Sequence, residues 1–135
     1  MRNLGDNVIK YTEEIMPTQD ELKDLFLSVN WNSGKFPDRL YKSIENSSYK
    51  IFAYDEDKLV GLATGLSDGC INLFISYLLV DPQYKGQNIG TELLNRITSK
   101  KDFNRIQLIT EESCKDFYLK NGFIQDGVGM FKIKW

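Results

Sequence analysis

A short loop between an apolar run and an amphipathic segment has the composition of an anion-binding site. It reads Lys85-Gly86-Gln87-Asn88-Ile89-Gly90-Thr91. Glycine lets a backbone come close to a ligand. The first N–H groups of a helix have no acceptor within that helix, so they can point at an anion together with the positive end of the helix dipole. Because Lys85 adds a cation, this loop predicts a site for a pyrophosphate-bearing ligand.

Two common phosphate-binding patterns do not fit this loop. The P-loop needs Gly-Lys-Ser/Thr after its second spaced glycine, and the dinucleotide fingerprint needs three spaced glycines. Here Gly90 is followed by Thr91-Glu92, and the loop has only two glycines. An unrelated nucleotide-binding module is therefore the weakest of the alternatives that remain open.

The loop resembles a motif of the GCN5-related N-acetyltransferases, the GNAT superfamily. In that motif a strand ending in Val-x-Pro leads into Gln/Arg-x-x-Gly-x-Gly/Ala at a helix start, and here Val80-Asp81-Pro82 precedes residues 85–90. Lys85 stands where the family usually has Gln or Arg, and Asn88 stands where it usually has Gly. Because asparagine tolerates left-handed backbone angles, we expect Asn88 to replace glycine at that position.

A second block resembles the later GNAT motif, a helix ending in Phe-Tyr-x-x-x-Gly-Phe. It is Phe117-Tyr118 followed by Gly122-Phe123, and the recognisable motifs cover residues 50–127. The resemblance implies acetyl-CoA as the acetyl donor, without a metal, and a pantetheine arm paired with the backbone of Leu78, Leu79 and Val80. It also implies that Tyr118 protonates the departing thiolate. Without the motif, an aromatic pair near a helix end is more often part of the core.

The general base is the least defined part of this reading. Many GNAT enzymes carry a glutamate on the long strand, whereas Phe74-Ile75-Ser76-Tyr77 contains no carboxylate. A water held by Ser76 or Tyr77 would be an alternative. More distant proton acceptors are Asp68, Glu111 and Glu112.

Composition excludes several other chemistries. The 135 residues include no histidine, which removes Ser-His-Asp and Cys-His nucleophiles and the commonest metal ligand. Cys70 and Cys114 fit reduced intracellular thiols. For Cys114 an acetyl-cysteine role is open, but a buried, small apolar residue is favoured.

Charge and hydropathy favour a cytoplasmic protein. The net charge is −2 with no basic cluster, which argues against nucleic acid as a partner. No apolar run approaches the ~20 residues of a membrane span, and the first residues lack the apolar core of a signal peptide. The length predicts a single domain, residues 1–135.

Periodicity and turn chemistry predict the elements that position these residues. Strands are expected at Val8–Thr12, Tyr49–Tyr54, Leu59–Leu66, Ile71–Val80, Ile106–Thr110, Phe123–Ile124 and Met130–Trp135. Helices are expected from the Thr18 cap to Val29, from Pro37 to Asn46, from Ile89 to Ile97, and from the Ser113 cap to Gly122. The order β-α-α-β-β-β-α-β-α-β-β is the GNAT order. It implies a mixed α/β (α+β) fold whose two parallel strands splay apart at their carboxyl ends.

The acceptor is predicted to be an amine, either a small molecule or a peptide. Family resemblance makes the first helical region a wall of the acceptor site, with Trp31, Phe36 and Tyr41 as candidates. Acids expected near the cleft favour a small cationic amine: Asp38, Asp68, Glu111 and Glu112. The missing strand carboxylate leaves open a catalytically silent CoA-binding regulatory domain, and a homodimer is compatible with either reading.

Overall fold

Nine regular elements build the fold, and the computed structural model describes them over residues 8–135. The strands are β1 (Ile9–Thr12), β2 (Tyr49–Asp55), β3 (Lys58–Ser67), β4 (Asn72–Val80) and β5 (Arg105–Gln107). The helices are α1 (Gln19–Ser28), α2 (Pro37–Glu45), α3 (Ile89–Thr98) and α4 (Lys115–Lys120). Short 3-10 turns lie at Asn32–Lys35, Pro82–Tyr84 and Glu112–Cys114. The predicted element order is confirmed from β1 through α4.

The strands form one mixed sheet in the order β1-β2-β3-β4-β5. The three pairings among β1, β2, β3 and β4 are antiparallel. The fourth pairing, of β5 with β4, is parallel, as predicted for a βαβ crossover. The parallel pairing joins Asn72–Phe74 only to Arg105–Gln107. Among the described residues no strand pairs with residues 75–80 of β4 on that side. The carboxyl-terminal half of β4 is therefore open along one edge, as the predicted splay requires.

Helices cover both faces of the sheet. The face covered by α3 buries the four apolar residues predicted for that helix, Ile89, Leu93, Leu94 and Ile97, against the sheet. The opposite face buries residues of α1 and α2, Leu22, Leu25, Phe26, Leu40 and Ile44, against Phe52, Leu62 and Leu79. Because both faces are covered, β3 is buried along most of its length.

Local signals at the helix starts are largely confirmed. Thr18 caps α1 with its side chain, which accepts from Glu21 N at 3.2 Å, while the Glu21 carboxylate accepts from Thr18 N at 3.0 Å. Pro37 opens α2 at its first turn. The predicted Ser113 cap is wrong, because a 3-10 turn precedes α4 and Cys114 occupies the capping position without a side-chain hydrogen bond. Gly122 follows α4 with a φ of 88°, the left-handed residue expected after a helix end.

The two closing strands predicted at Phe123–Ile124 and Met130–Trp135 are wrong. The structure has no regular element in residues 121–135, and Ile124 and Met130 are 84% and 87% exposed. A strand needs a neighbouring edge for its backbone groups, but β5 ends at Gln107 instead of reaching Thr110. Alternating apolar residues therefore do not make a strand here. Within residues 8–135, no helix is long and apolar enough to cross a membrane.

Candidate functional site

The chain leaves β4 through a turn that its own side chains hold in place. Asp81 donates its N–H to the Val60 carbonyl at 2.8 Å, and its Oδ1 accepts from Gln83 N at 2.9 Å. This carboxylate caps the 3-10 turn Pro82–Tyr84. The turn sets the direction in which the following loop approaches α3.

Two residues of the loop 85–91 have left-handed backbone angles. Gly86 has a φ of 83° and Asn88 has a φ of 60° with a ψ of 20°, so both lie in the left-handed region. The expectation that Asn88 replaces a glycine is confirmed. The Asn88 side chain makes no capping hydrogen bond to α3, whose first helical residue is Ile89. The first-turn N–H groups of α3 have no acceptor within the helix and point out of its amino end, as an anion site requires.

Gly90 has a packing role that the sequence did not predict. A Cβ placed on Gly90 would lie 3.5 Å from Cζ of Phe117 and 3.8 Å from Cγ2 of Val80. These are ordinary van der Waals distances, so one methyl group fits but a branched side chain would press on both neighbours. The small residue lets the first turn of α3 pack between the end of β4 and the aromatic face of α4.

A buried polar contact ties the loop to the β2–β3 hairpin. The Tyr84 hydroxyl donates to Asp55 Oδ2 at 2.6 Å, and Asp55 is 8% exposed. Lys58 Nζ lies 3.3 Å from Asp81 Oδ2 and 5.4 Å from the centre of the Tyr84 ring. Sequence reasoning missed this cluster. Nothing in the local sequence pattern shows that Tyr84 reaches Asp55, because the two residues are 29 positions apart.

A β-bulge interrupts β4 just before the predicted pantetheine segment. Thr64 pairs with Tyr77 and Gly65 pairs with Ile75, which leaves Ser76 as the extra residue. The Ser76 hydroxyl lies 2.8 Å from the Thr64 hydroxyl and donates to the Thr64 carbonyl at 3.2 Å. Leu78, Leu79 and Val80 follow on the open half of the strand. The bulge re-aims β4 where that half begins, as bulges often do next to active sites.

Tyr118 lies on α4 in an aromatic cluster beside the loop. Its ring packs edge-to-face against Phe117 and Phe123, with centroids 5.0 and 5.6 Å away. Burial, and to a smaller extent the sulfur of Cys114, raises the pKa of Tyr118 to about 12. The phenol is therefore protonated at any physiological pH and can act only as a proton donor there. Phe117, its neighbour in the chain, is the residue that faces Gly90.

Two of the three acids proposed as distant bases already have partners of their own. Asp68 lies in the β3–β4 turn, at the far end of β4, where its carboxylate accepts from three backbone N–H groups and the Asn72 side chain at 2.9–3.1 Å. These bonds, led by the Asn72 N–H, lower the pKa of Asp68 to about 2, which makes it a poor base. Glu112 pairs with Lys115 at 2.7 Å. Cys114 is exposed, so the favoured reading of a buried cysteine is wrong.

A cleft of about 680 Å³ lies on the α1–α2 side of the open half of β4. Its floor includes Tyr77, whose hydroxyl lies 3.0 Å from the Ser33 hydroxyl. Its rim includes Phe36, stacked on Trp135 with centroids 5.6 Å apart and an interplanar angle of 11°. Of the three predicted acceptor-site aromatics only Phe36 lines this cleft. Trp31 and Tyr41 pack against the core cluster of α1 and α2.

Comparisons with known proteins agree with this architecture. Residues 16–132 match the family model of the acetyltransferase (GNAT) domain. The chain is 35% identical over 83 residues to the GCN5-related N-acetyltransferase 2, chloroplastic, of Arabidopsis thaliana, covering 59% of this chain and 32% of that protein. The chain thus spans about a third of the length of this curated relative.

Two solved structures have nearly the same fold. A GNAT-family acetyltransferase of Streptococcus pneumoniae is 28% identical, with a TM-score of 0.80, covering 94% of this chain and 98% of that one. A Staphylococcus aureus protein of unknown function, described as a probable acetyltransferase, is 24% identical with a TM-score of 0.84, covering 95% and 100%. With most of the chain matched by the family model and the fold shared along its length, this chain belongs to the GNAT acetyltransferase family.

Proposed function

We propose that this chain moves the acetyl group of acetyl-CoA to an amine by direct attack, within one catalytic domain. The observation that carries the proposal is the placement of the left-handed loop at Gly86 and Asn88, at the open end of β4, with the aromatic cluster of α4 packed on it. In this proposal the pyrophosphate binds the N–H groups of residues 86–91, and Lys85 supplies a cation. The pantetheine arm lies along residues 78–80.

The chain's own residues supply one proton in this reaction. The amine nitrogen forms a bond to the thioester carbonyl carbon, the carbon–sulfur bond breaks, and the thiolate takes the proton of the Tyr118 phenol. Solvent then reprotonates the phenolate. A phenol with a pKa of about 12 is a weaker acid than a free thiol at about 8.5. Burial also raises the pKa of the departing thiol, because it disfavours the charged thiolate, and this narrows the difference between the two pKa values.

The proton released by the amine goes to water in this scheme. The hydroxyls of Ser76 and Tyr77 lie within hydrogen-bond distance of the hydroxyls of Thr64 and Ser33, respectively. Neither hydroxyl therefore links the amine to a carboxylate that could accept its proton. This observation favours the alternative function, a CoA-binding regulatory domain without turnover, more than any other feature of the site.

Binding and turnover measured together separate these functions. We expect acetyl-CoA and CoA to raise the melting temperature and to bind in the micromolar range, with ATP giving no shift. Release of free thiol in the presence of an amine panel would establish transfer. Acetyl-CoA binding with no thiol released from any amine would favour the regulatory domain, and a shift with ATP alone would contradict both proposals.

Location and assembly remain predictions. The sequence predicts a cytoplasmic protein, whereas the Arabidopsis relative is named as chloroplastic. A homodimer likewise stays a prediction. The described residues contain no group of three or more His, Cys, Asp or Glu side chains that could hold a metal ion.

A further inference from the structure

We propose that the cleft beside Tyr77 selects amines that also carry an anionic group, a carboxylate or a phosphate. This inference deepens the proposed acetyl transfer and rests on it for the identity of the site. It replaces the sequence-based expectation of a small cationic amine.

The charged side chains around the cleft are all cationic. Arg39 reaches it from α2, and Lys132 and Lys134 reach it from the C-terminal segment, while no Asp or Glu side chain among residues 8–135 lines it. All three cations are exposed, and none takes part in an ion pair among residues 8–135. Three unpaired cations around one concave surface attract an anion and repel a purely cationic ligand.

None of the four acids that suggested a cationic acceptor lines the cleft. Asp38 is exposed on the first turn of α2 and does not line the cleft. Asp68 is held in the β3–β4 turn by its own hydrogen bonds, and Glu112 pairs with Lys115 on the way into α4. Sequence position alone could not show that these carboxylates would be absent from the cleft while cations surround it.

The cleft also has an apolar wall that suits the carbon skeleton of such an amine. Phe36 and Trp135 stack with nearly parallel rings at its rim, and Leu40 and Ile133 complete the wall. Aromatic faces give a ligand large contact area at low cost in side-chain freedom. A molecule with an amine, an apolar or sugar-like body and one acid therefore matches the surface better than a polyamine.

The position of Tyr77 connects this cleft to the proposed chemistry. Tyr77 follows the β-bulge at Ser76 and directly precedes residues 78–80, where the pantetheine arm is proposed to lie. An amine placed over Tyr77 would therefore reach the open edge of β4 near the thioester. Its acid would lie toward Arg39 and the two lysines.

Matched amine pairs test this inference by direct binding to the acetyl-free CoA complex. The pairs are phosphoethanolamine with ethanolamine, and phenylalanine with phenylalaninamide, so that each pair differs mainly in the anionic group and the two pairs distinguish phosphate from carboxylate. We expect the anionic member to bind at least about fivefold more tightly in one or both pairs, as for charge-assisted contacts at an accessible site. Raising the ionic strength should weaken this preference.

Variants locate the preference in the cleft. Arg39→Gln, and the double variant Lys132→Gln with Lys134→Gln, should each abolish most of it while leaving CoA affinity unchanged. Lys10→Gln removes an exposed cation from β1, at the opposite edge of the sheet, and should leave the preference intact.

Two results would overturn the inference: equal or weaker binding of both anionic members up to millimolar concentration, or a preference that survives both cleft variants. Failure of the proposed function has a different signature. In that case acetyl-CoA does not bind, so that no CoA complex forms, or it binds and no amine releases thiol. In the second case the difference within each pair is still measured by binding.

Discussion

The loop of residues 81–91 and the C-terminal segment of residues 121–135 are opposite cases of irregular structure in one chain. The loop is pinned by Asp81, by two left-handed residues and by the contact between Tyr84 and Asp55. The C-terminal segment has the stronger strand pattern, yet its apolar side chains are largely exposed. A local conformation forms as the sequence predicts when the residues that specify it lie within the segment or contact a rigid neighbouring element. An alternating apolar pattern forms a strand only where the edge of a sheet is available to pair with its backbone.

The largest expected effect lies at the helix packed on the loop, in the variant Tyr118→Phe. The ring and its aromatic contacts remain and only the hydroxyl group, with its transferable proton, is lost, so we expect kcat to fall by roughly 10- to 1000-fold while acetyl-CoA affinity changes by a few fold. Steady-state kinetics and calorimetric titration measure the two quantities on the same variant. Full kcat would remove Tyr118 from the mechanism and leave it a core aromatic.

The raised pKa of Tyr118 adds a pH-dependent test. Because the phenol stays protonated as pH rises to about 10, loss of its proton should not lower the rate over that range. The neutral phenol is favoured in the folded protein. Its contribution to stability is therefore fully present below pH 10 and is lost as pH rises toward 12. Tyr118→Phe should lack this alkaline loss, as pH-dependent unfolding of the two proteins can show.

A branched residue at Gly90 should be the next most disruptive change. Gly90→Val pushes on Phe117 and Val80, which overpacks the junction by about 1–3 kcal/mol and displaces the loop. We expect acetyl-CoA affinity to fall at least about tenfold in a protein that still folds by circular dichroism. Gly90→Ala is the matched control, since its methyl group fits. Unchanged affinity in a folded Gly90→Val protein would contradict the assignment of the loop to the pyrophosphate.

Tyr84→Phe tests the anchor of the loop. The change removes a hydrogen bond to a buried carboxylate, so we expect the free energy of unfolding to fall by about 1–3 kcal/mol, with weaker acetyl-CoA binding as the loop loosens. Denaturant unfolding and titration measure both. Tyr49→Phe is a suitable control, because it removes a tyrosine hydroxyl from the start of β2 instead of from the loop. Equal stability of Tyr84→Phe and the wild type would show that the loop holds without this contact.

The smallest effect on stability is expected in the C-terminal segment. The Trp135 side chain is 67% exposed and its described ring contact is the stack on Phe36, so Trp135→Ala should lower the free energy of unfolding by less than about 1 kcal/mol. Thermal or denaturant unfolding checks this. A loss of several kcal/mol would break the comparison, because it would mean that the segment is packed in solution, for instance as a strand against a second copy.

The sequence predicted most elements because their signals are local. The Thr18–Glu21 capping box, the proline at the start of α2 and the left-handed Asn88 each depend on a few consecutive residues. The pairing of Tyr84 with Asp55 joins residues 29 positions apart, and no short pattern reveals it. The cationic cleft depends on α2 and the C-terminal residues meeting beside Tyr77, which is again a long-range outcome.

The order of strands in the sheet has a consequence for the route by which the chain folds. Each strand pairs with the strand next to it along the chain, and only a two-residue turn separates β2 from β3. Closing short loops costs little entropy, so we expect the β2–β3–β4 meander to form in the transition state, with β5 joining after α3 has folded back. Leu62→Ala in β3 should then mainly slow refolding, whereas Ile106→Ala in β5 should mainly speed unfolding, in stopped-flow chevron measurements.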